Sequence, residues 1–95
     1  MSHEKNQSLI YTLHDCATAC NHCATACLNE QDVKMMALCI QLDIDCAALC
    51  DLTASFLGRG SDHAEQLLSV CETLCEACAT ECEKHGQHGM QHCMD

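Results

Sequence analysis

The sequence contains no proline and no tryptophan, and its aromatic residues are a single tyrosine, Tyr11, and a single phenylalanine, Phe56. Without proline, no position is barred from a helix by a missing N–H or a ring clash. So few aromatics leave no stacking surface for bases and none of the large anchors a small core normally uses. Glycine is confined to Gly58, Gly60, Gly86 and Gly89, so residues 1–57 carry neither strong helix breaker. Basic residues are also few: Lys5, Lys34, Arg59 and Lys84 face fourteen acidic side chains, for a formal charge of −10. With no basic stripe to neutralise phosphates, nucleic acid is excluded as a partner. No run approaches the roughly 18 apolar residues of a membrane span, and residues 1–8 show no basic segment leading into an apolar one. The expectation is a soluble, cytoplasmic protein with no membrane partner.

What the sequence has in excess is cysteine, twelve in 95 residues. A chain this short makes one domain, 1–95, and domains of this size often need disulfides, a metal or oligomerisation beside their core. In a reducing compartment disulfides are uncommon, so dense cysteine points to metal binding or redox chemistry.

Helix is the default reading, broken at three places. Asn29 can end a first helix, with Asp32 as N-cap of the next. Around Gly58-Arg59-Gly60-Ser61-Asp62, Asp62 and Glu65 have the spacing of a capping box. A third break falls at His85-Gly86-Gln87. Helices are thus expected near 5–28, 32–57 and 61–84, with a short segment near 87–95. Short connections make these antiparallel neighbours, an all-α antiparallel bundle of the four-helix type whose fourth helix is short or truncated.

The positions facing inward are unusual. Leu9, Leu13, Cys16, Cys20, Cys23 and Cys27 are separated by 4, 3, 4, 3 and 4 residues, an unbroken a/d seam. Leu68, Cys71, Cys75, Cys78, Cys82 and His85 repeat it, and the middle helix puts Cys39, Cys46 and Cys50 on one face with Met35, Leu42 and Thr53 or Leu57. His14 and His22 fall beside the seam and read as surface residues.

Cysteines four apart on a helix put two sulfurs one turn apart, able to share an ion that accepts two ligands in a line. Cu(I) is such an ion and the soft one that thiolates favour, whereas Zn(II) normally takes four ligands in a tetrahedron. Cysteine acting only as a small hydrophobe explains one or two buried thiols but not eleven, because a thiol core forgoes the packing of Leu or Ile. Two alternatives remain: a zinc or general soft-metal buffer, since Cys20-Asn-His-Cys23 and Cys75-Glu-Ala-Cys78 are CxxC pairs, and a thiol-disulfide redox protein. Both pairs lie deep inside helices, away from the N-terminal dipole that would acidify a redox thiol, so an enzyme is disfavoured. Met35, Met36, His85, His88, Met90, His92 and Met94 gather near one end with Cys93, a set of softer and borderline donors suited to passing copper inward.

The CxxxCxxCxxxC segments Cys16–Cys27 and Cys71–Cys82, with Cys46-Ala-Ala-Leu-Cys50 and Phe56-Leu-Gly-Arg-Gly-Ser61, resemble the bacterial four-helix-bundle copper storage proteins over nearly the whole chain from Ser8. That resemblance implies a cytosolic store of several Cu(I) ions per chain and a homo-oligomer, by likeness a tetramer, that exchanges with a copper chaperone. By the same likeness the ligands are Cys16, Cys20, Cys23, Cys27, Cys39, Cys46, Cys50, Cys71, Cys75, Cys78, Cys82 and Cys93. Leu9, Leu13, Leu42 and Leu68 stand where such proteins often have further cysteine, which lowers the expected capacity. A fourth wall, usually rich in cysteine, is nearly absent, and a partner chain is one way to supply it.

Folding the three helices back on one another also predicts a polarity. The cysteines gather toward the 29–32 turn, and Leu9, Leu13, Phe56, Leu57, Leu67 and Leu68 meet in the other half as a dry plug. Copper is then expected to enter past Met35, Met36 and His85.

Overall fold

A computed structural model of the chain describes the backbone of residues 3–87 and the side chains of residues 6–84. The described residues form three long helices: α1 (His3–Leu28), α2 (Ala37–Gly58) and α3 (Ala64–Gln87). No strand occurs among them, and no helix is long and apolar enough to cross a membrane. The particle is elongated, 45 × 19 × 18 Å, as expected of antiparallel helices each more than 20 residues long. The segment expected at 87–95 lies, apart from Gln87, outside the described residues.

All three expected breaks differ in detail from the sequence reading. Residues Val33–Met36 form a 3₁₀ turn that runs into α2, and Asp32, which precedes it, makes no side-chain cap. A 3₁₀ turn advances three residues per turn rather than 3.6. Counting back four from Cys39 therefore lands on the wrong face: Met35 is 41% exposed and Met36 is fully buried. At the start of α3, the Ser61 hydroxyl oxygen accepts the His63 N–H at 3.1 Å. Ser61, not Asp62, thus serves the incoming helix. Finally, α3 runs through the expected break at 85–87 and includes Gly86; one internal glycine costs a helix only about 1 kcal/mol.

The α2–α3 connection is a Schellman turn. Ser61 N–H reaches Phe56 C=O at 3.0 Å and Gly60 N–H reaches Leu57 C=O at 3.1 Å, with Gly60 at φ +68°. Glycine takes this left-handed conformation without the Cβ penalty other residues incur.

Close backbone packing joins α1 to α2 and α2 to α3, so α2 is the central element. The core between them is made largely of Cys and Ala: Ala17, Ala24, Ala47 and Ala54 are buried with nine of the cysteines. At the Gly60 end the core becomes hydrocarbon, with Leu13 and Leu57 buried and Leu9, Phe56 and Leu68 packed against them. This is the apolar plug that the seam arithmetic predicts, except that Leu67, half-buried, is not among the side chains packed against the core. Arg59 lies over the Phe56 ring, 5.1 Å from its centroid. His14 and His22 are exposed, and His14 Nδ1 pairs with Asp51 Oδ1 at 3.0 Å.

Candidate metal centre

The 4-3-4 spacing on each helix turns its cysteines to a common axis, and the antiparallel register places them level with one another. Across α2 and α3, Cys50 faces Cys71 with sulfurs 3.3 Å apart, Cys46 faces Cys75 at 3.1 Å, and Cys39 faces Cys82 at 3.4 Å. Across α1 and α2, Cys27 meets Cys39 at 3.9 Å, while Cys20 interacts with Cys46 and Cys16 with Cys50. Between α1 and α3, Cys16 lies 3.8 Å from Cys75 and Cys23 lies 3.9 Å from Cys82.

The fourth level of this lattice is completed by a residue the sequence reading passed over. Asp43, 1% exposed, faces Cys78 on α3, whose thiol donates to Oδ1 at 2.9 Å, and Cys23 on α1. Its other oxygen, Oδ2, is 3.8 Å from Cys39 Sγ. The signal was present in the sequence: Cys39, Asp43, Cys46 and Cys50 have the same 4-3-4 spacing as the cysteine segments of α1 and α3, with Asp in the second place. A count restricted to cysteine misses it.

Three helices thus contribute four levels of inward donors, eleven free thiols and one carboxylate. Within this lattice three sets have all their donor atoms within 4.8 Å of one another: Cys16, Cys46, Cys50 and Cys75; Cys23, Cys39, Asp43 and Cys82; and Cys20, Asp43 and Cys78. Sulfurs one turn apart on a helix, such as Cys23 and Cys27, Cys46 and Cys50, or Cys71 and Cys75, are 4.0 Å apart. With metal–sulfur bonds of roughly 2.3 Å, an ion between such a pair reaches both sulfurs at an S–metal–S angle of about 120°, and a straight two-ligand site needs the sulfurs to spread to about 4.6 Å. Because neighbouring pairs share sulfurs, ions in adjacent sites can be bridged.

The electrostatics of the ion-free core keep it protonated. Burial pushes the thiols of Cys23, Cys39, Cys46 and Cys50 far above the ordinary value of 9.0. Cys20 is raised first by its hydrogen bond with Cys78 and then by burial. Burial pushes Cys82 up to about 12. These cysteines are neutral thiols near pH 7, so an ion that binds them as thiolates must displace protons.

Of the residues singled out from sequence, the structure brings together Cys16, Cys20, Cys23, Cys27, Cys39, Cys46, Cys50, Cys71, Cys75, Cys78 and Cys82. Cys16 and Cys75 are the two only partly buried. Met36 is buried at the Cys27–Cys39 end of the core, whereas Met35 stands at the surface. The side chain of His85, and Cys93, lie outside the described residues.

Known proteins resemble this chain in both sequence and structure. Residues 2–95 match the family model described as copper storage protein. A cysteine-rich protein of Bacillus subtilis (strain 168), YhjQ, is 38% identical over 88 residues, covering 93% of this chain and 82% of its own. Among solved structures, the Cu(I)-bound copper storage protein BsCsp3 superposes with a TM-score of 0.81 at 38% identity, over 93% of this chain and 83% of that one.

Proposed function

Since this chain belongs to the copper storage protein family, we propose that the eleven thiols of its four-level lattice are the store, and that they hold several Cu(I) ions per chain in the cytoplasm. The observation that carries the reading is the continuity of the lattice. Every inward level from Cys27 to Cys16 offers thiols from more than one helix, and the recorded sulfur pairs along and between the levels are 3.1–4.0 Å apart. A single structural zinc would need four donors and would leave the rest unexplained. Soft, low-coordinate Cu(I) accounts for pairs, shared sulfurs and the absence of turn residues around the CxxC segments. Storage rather than turnover is the role the family implies, and a binding function needs no acidified nucleophile, in keeping with thiols whose ionisation burial suppresses.

The individual ligands in this reading are the eleven core cysteines and Cys93, with His85 and Met35 as accessory donors and Met36 lining the core near the 29–32 turn. A copper chaperone is the natural donor, and a homo-oligomer, a tetramer by family resemblance, is the expected assembly. Support for self-association comes from the α1–α3 side, where Cys16 and Cys75 remain partly open, and from apolar side chains standing in solvent, among them Tyr11, Leu38, Leu52 and Val70.

Anaerobic titration of the reduced chain with Cu(I), counting metal bound per chain, tests the reading. Several ions per chain, approaching the number of core thiols where each thiolate bridges two ions, are expected. A plateau at one or two would reject it.

A further inference from the structure

One group in the lattice is out of keeping with a store for a soft ion. Carboxylate oxygen is a ligand for harder cations, and Cu(I) gains little from it beside thiolate. Burying it is costly unless it is paired or hydrogen-bonded. Yet Asp43 is 1% exposed, and its recorded side-chain partners among the described residues are thiols, Cys39, Cys78 and Cys23.

The arrangement around Asp43 has a definite shape. Cys39 and Cys82 have sulfurs 3.4 Å apart, Cys23 and Cys82 3.9 Å, and Asp43 Oδ2 is 3.8 Å from Cys39 Sγ. A tetrahedral Zn(II) site with Zn–S of about 2.3 Å and Zn–O of about 2.0–2.2 Å has S···S edges of about 3.8 Å and S···O edges of about 3.5 Å. The three recorded edges, 3.4, 3.9 and 3.8 Å, lie within about 0.4 Å of those values, and all four donors are within 4.8 Å of one another. They come from all three helices. The second carboxylate oxygen is held by the Cys78 thiol at 2.9 Å, which fixes the plane of the carboxylate and leaves Oδ2 for the ion. An outer hydrogen bond that orients an inner ligand is the usual construction of a zinc site.

We propose that Cys23, Cys39, Asp43 and Cys82 form a tetrahedral three-sulfur, one-oxygen site for a borderline divalent cation of the Zn(II) or Co(II) class, set apart from the all-thiol levels by its oxygen ligand. The chain then holds two kinds of cargo: one divalent ion at the Asp43 level, and Cu(I) along the rest of the core. The set Cys16, Cys46, Cys50 and Cys75 at the other end has no oxygen. It is the internal comparison.

The test is anaerobic titration of the reduced full-length chain with Co(II), followed by competition with Zn(II). Expected are one tightly bound ion per chain, the ligand-field bands of tetrahedral Co(II), and thiolate-to-metal charge transfer of the intensity of three thiolates. Asp43→Asn should weaken Zn(II) by at least about tenfold while leaving Cu(I) capacity, measured on the same sample, unchanged. Asp43→Cys should keep one ion but move the bands to those of four thiolates, which covers the case of an asparagine variant that folds poorly. Cys39→Ser should abolish the tight site and Cys50→Ser should spare it. Wild-type affinity and spectrum in Asp43→Asn, or loss of the tight site in Cys50→Ser but not in Cys39→Ser, would overturn the proposal. Because Cu(I) capacity is read separately, its failure is distinguishable from failure of the storage reading.

Discussion

Cys46 on α2 and Cys75 on α3 bring their sulfurs to 3.1 Å, the shortest sulfur–sulfur approach recorded among the described residues. Cys50 and Cys71 follow at 3.3 Å. Closing either pair to the roughly 2.05 Å of a disulfide needs little movement. In the metal-free chain, diamide should therefore form α2–α3 crosslinks first. Two thiols lose two protons and two electrons, and the diamide is reduced to the hydrazine. Peptide mapping should find the Cys46–Cys75 and Cys50–Cys71 bonds ahead of any within one helix, and prior loading with Cu(I) should suppress both. Bonds formed at random among the eleven thiols would contradict the register.

Copper should act as part of the core. A ligand at a thousandfold excess over its Kd adds about 4 kcal/mol to the folded state, and each kcal/mol moves the melting of a domain this size by about 4–8 °C. Loading with Cu(I) should raise Tm by tens of degrees in differential scanning calorimetry. An unchanged Tm would place the ions outside the bundle.

The metal-free protein should lose stability in alkali. Unfolded thiols ionise near 9.0, whereas in the fold Cys82 holds its proton up to about 12 and Cys39 is raised by burial as well. A group whose pKa is raised by folding contributes stability below its unfolded pKa and loses that contribution as pH rises toward the folded one. The midpoint of urea unfolding should be level from pH 7 to about 8 and fall steadily above about 9. A midpoint that rises with pH would mean the core thiols are ionised in the fold.

Adjacent methionines should differ sharply. Met36→Ala removes a fully buried side chain and should cost about 2–5 kcal/mol in the metal-free chain. Met35→Ala, at a surface position, should fall within about 0.5 kcal/mol of the parent. Equal effects in denaturant titration would mean that the 3₁₀ turn is misassigned.

Copper entry should be polar. The hydrocarbon layer of Leu9, Leu13, Phe56 and Leu57 closes the Gly60 end, and an ion crosses such a layer only at high cost. Replacing Met35, Met36 and His85 with Leu should slow stopped-flow uptake while barely changing final capacity. Uptake slowed instead by changes at Leu9, Leu13 and Phe56 would reverse the assignment.

The helices, their antiparallel order, the inward cysteines and the apolar plug were legible because periodicity of 3.6 is a property of the whole segment, which no single residue can disguise. Local geometry was not. Met35 and Met36 exchange faces because a 3₁₀ turn shifts the phase by a fraction of a residue per turn, and nothing in Val33-Lys34-Met35-Met36 announces it. Asp32 and Asp62 have the composition of caps, but whether an oxygen meets an N–H depends on backbone angles that composition does not determine. Asp43 was hidden for another reason. Read alone it is a polar residue on an amphipathic helix, and its 4-3-4 spacing with Cys39, Cys46 and Cys50 marks it as inward only once a carboxylate is allowed a place in a cysteine seam.

A ladder of identical rungs has no mark to say which rung should meet which. Cys16 and Cys23, Cys20 and Cys27, Cys71 and Cys78, Cys75 and Cys82 all repeat at seven residues, so sliding α3 by one heptad against α2 would still set sulfur opposite sulfur at several levels. Such a slip moves the helix by about 10 Å. The connection between Gly58 and Ala64 is five residues long and is pinned by the Schellman bonds to Phe56 and Leu57. It cannot supply that slack without breaking the turn at Gly60. The choice among near-equivalent alignments is made outside the core, by a short hydrogen-bonded connection, and lengthening that connection should let the helices settle in more than one stagger.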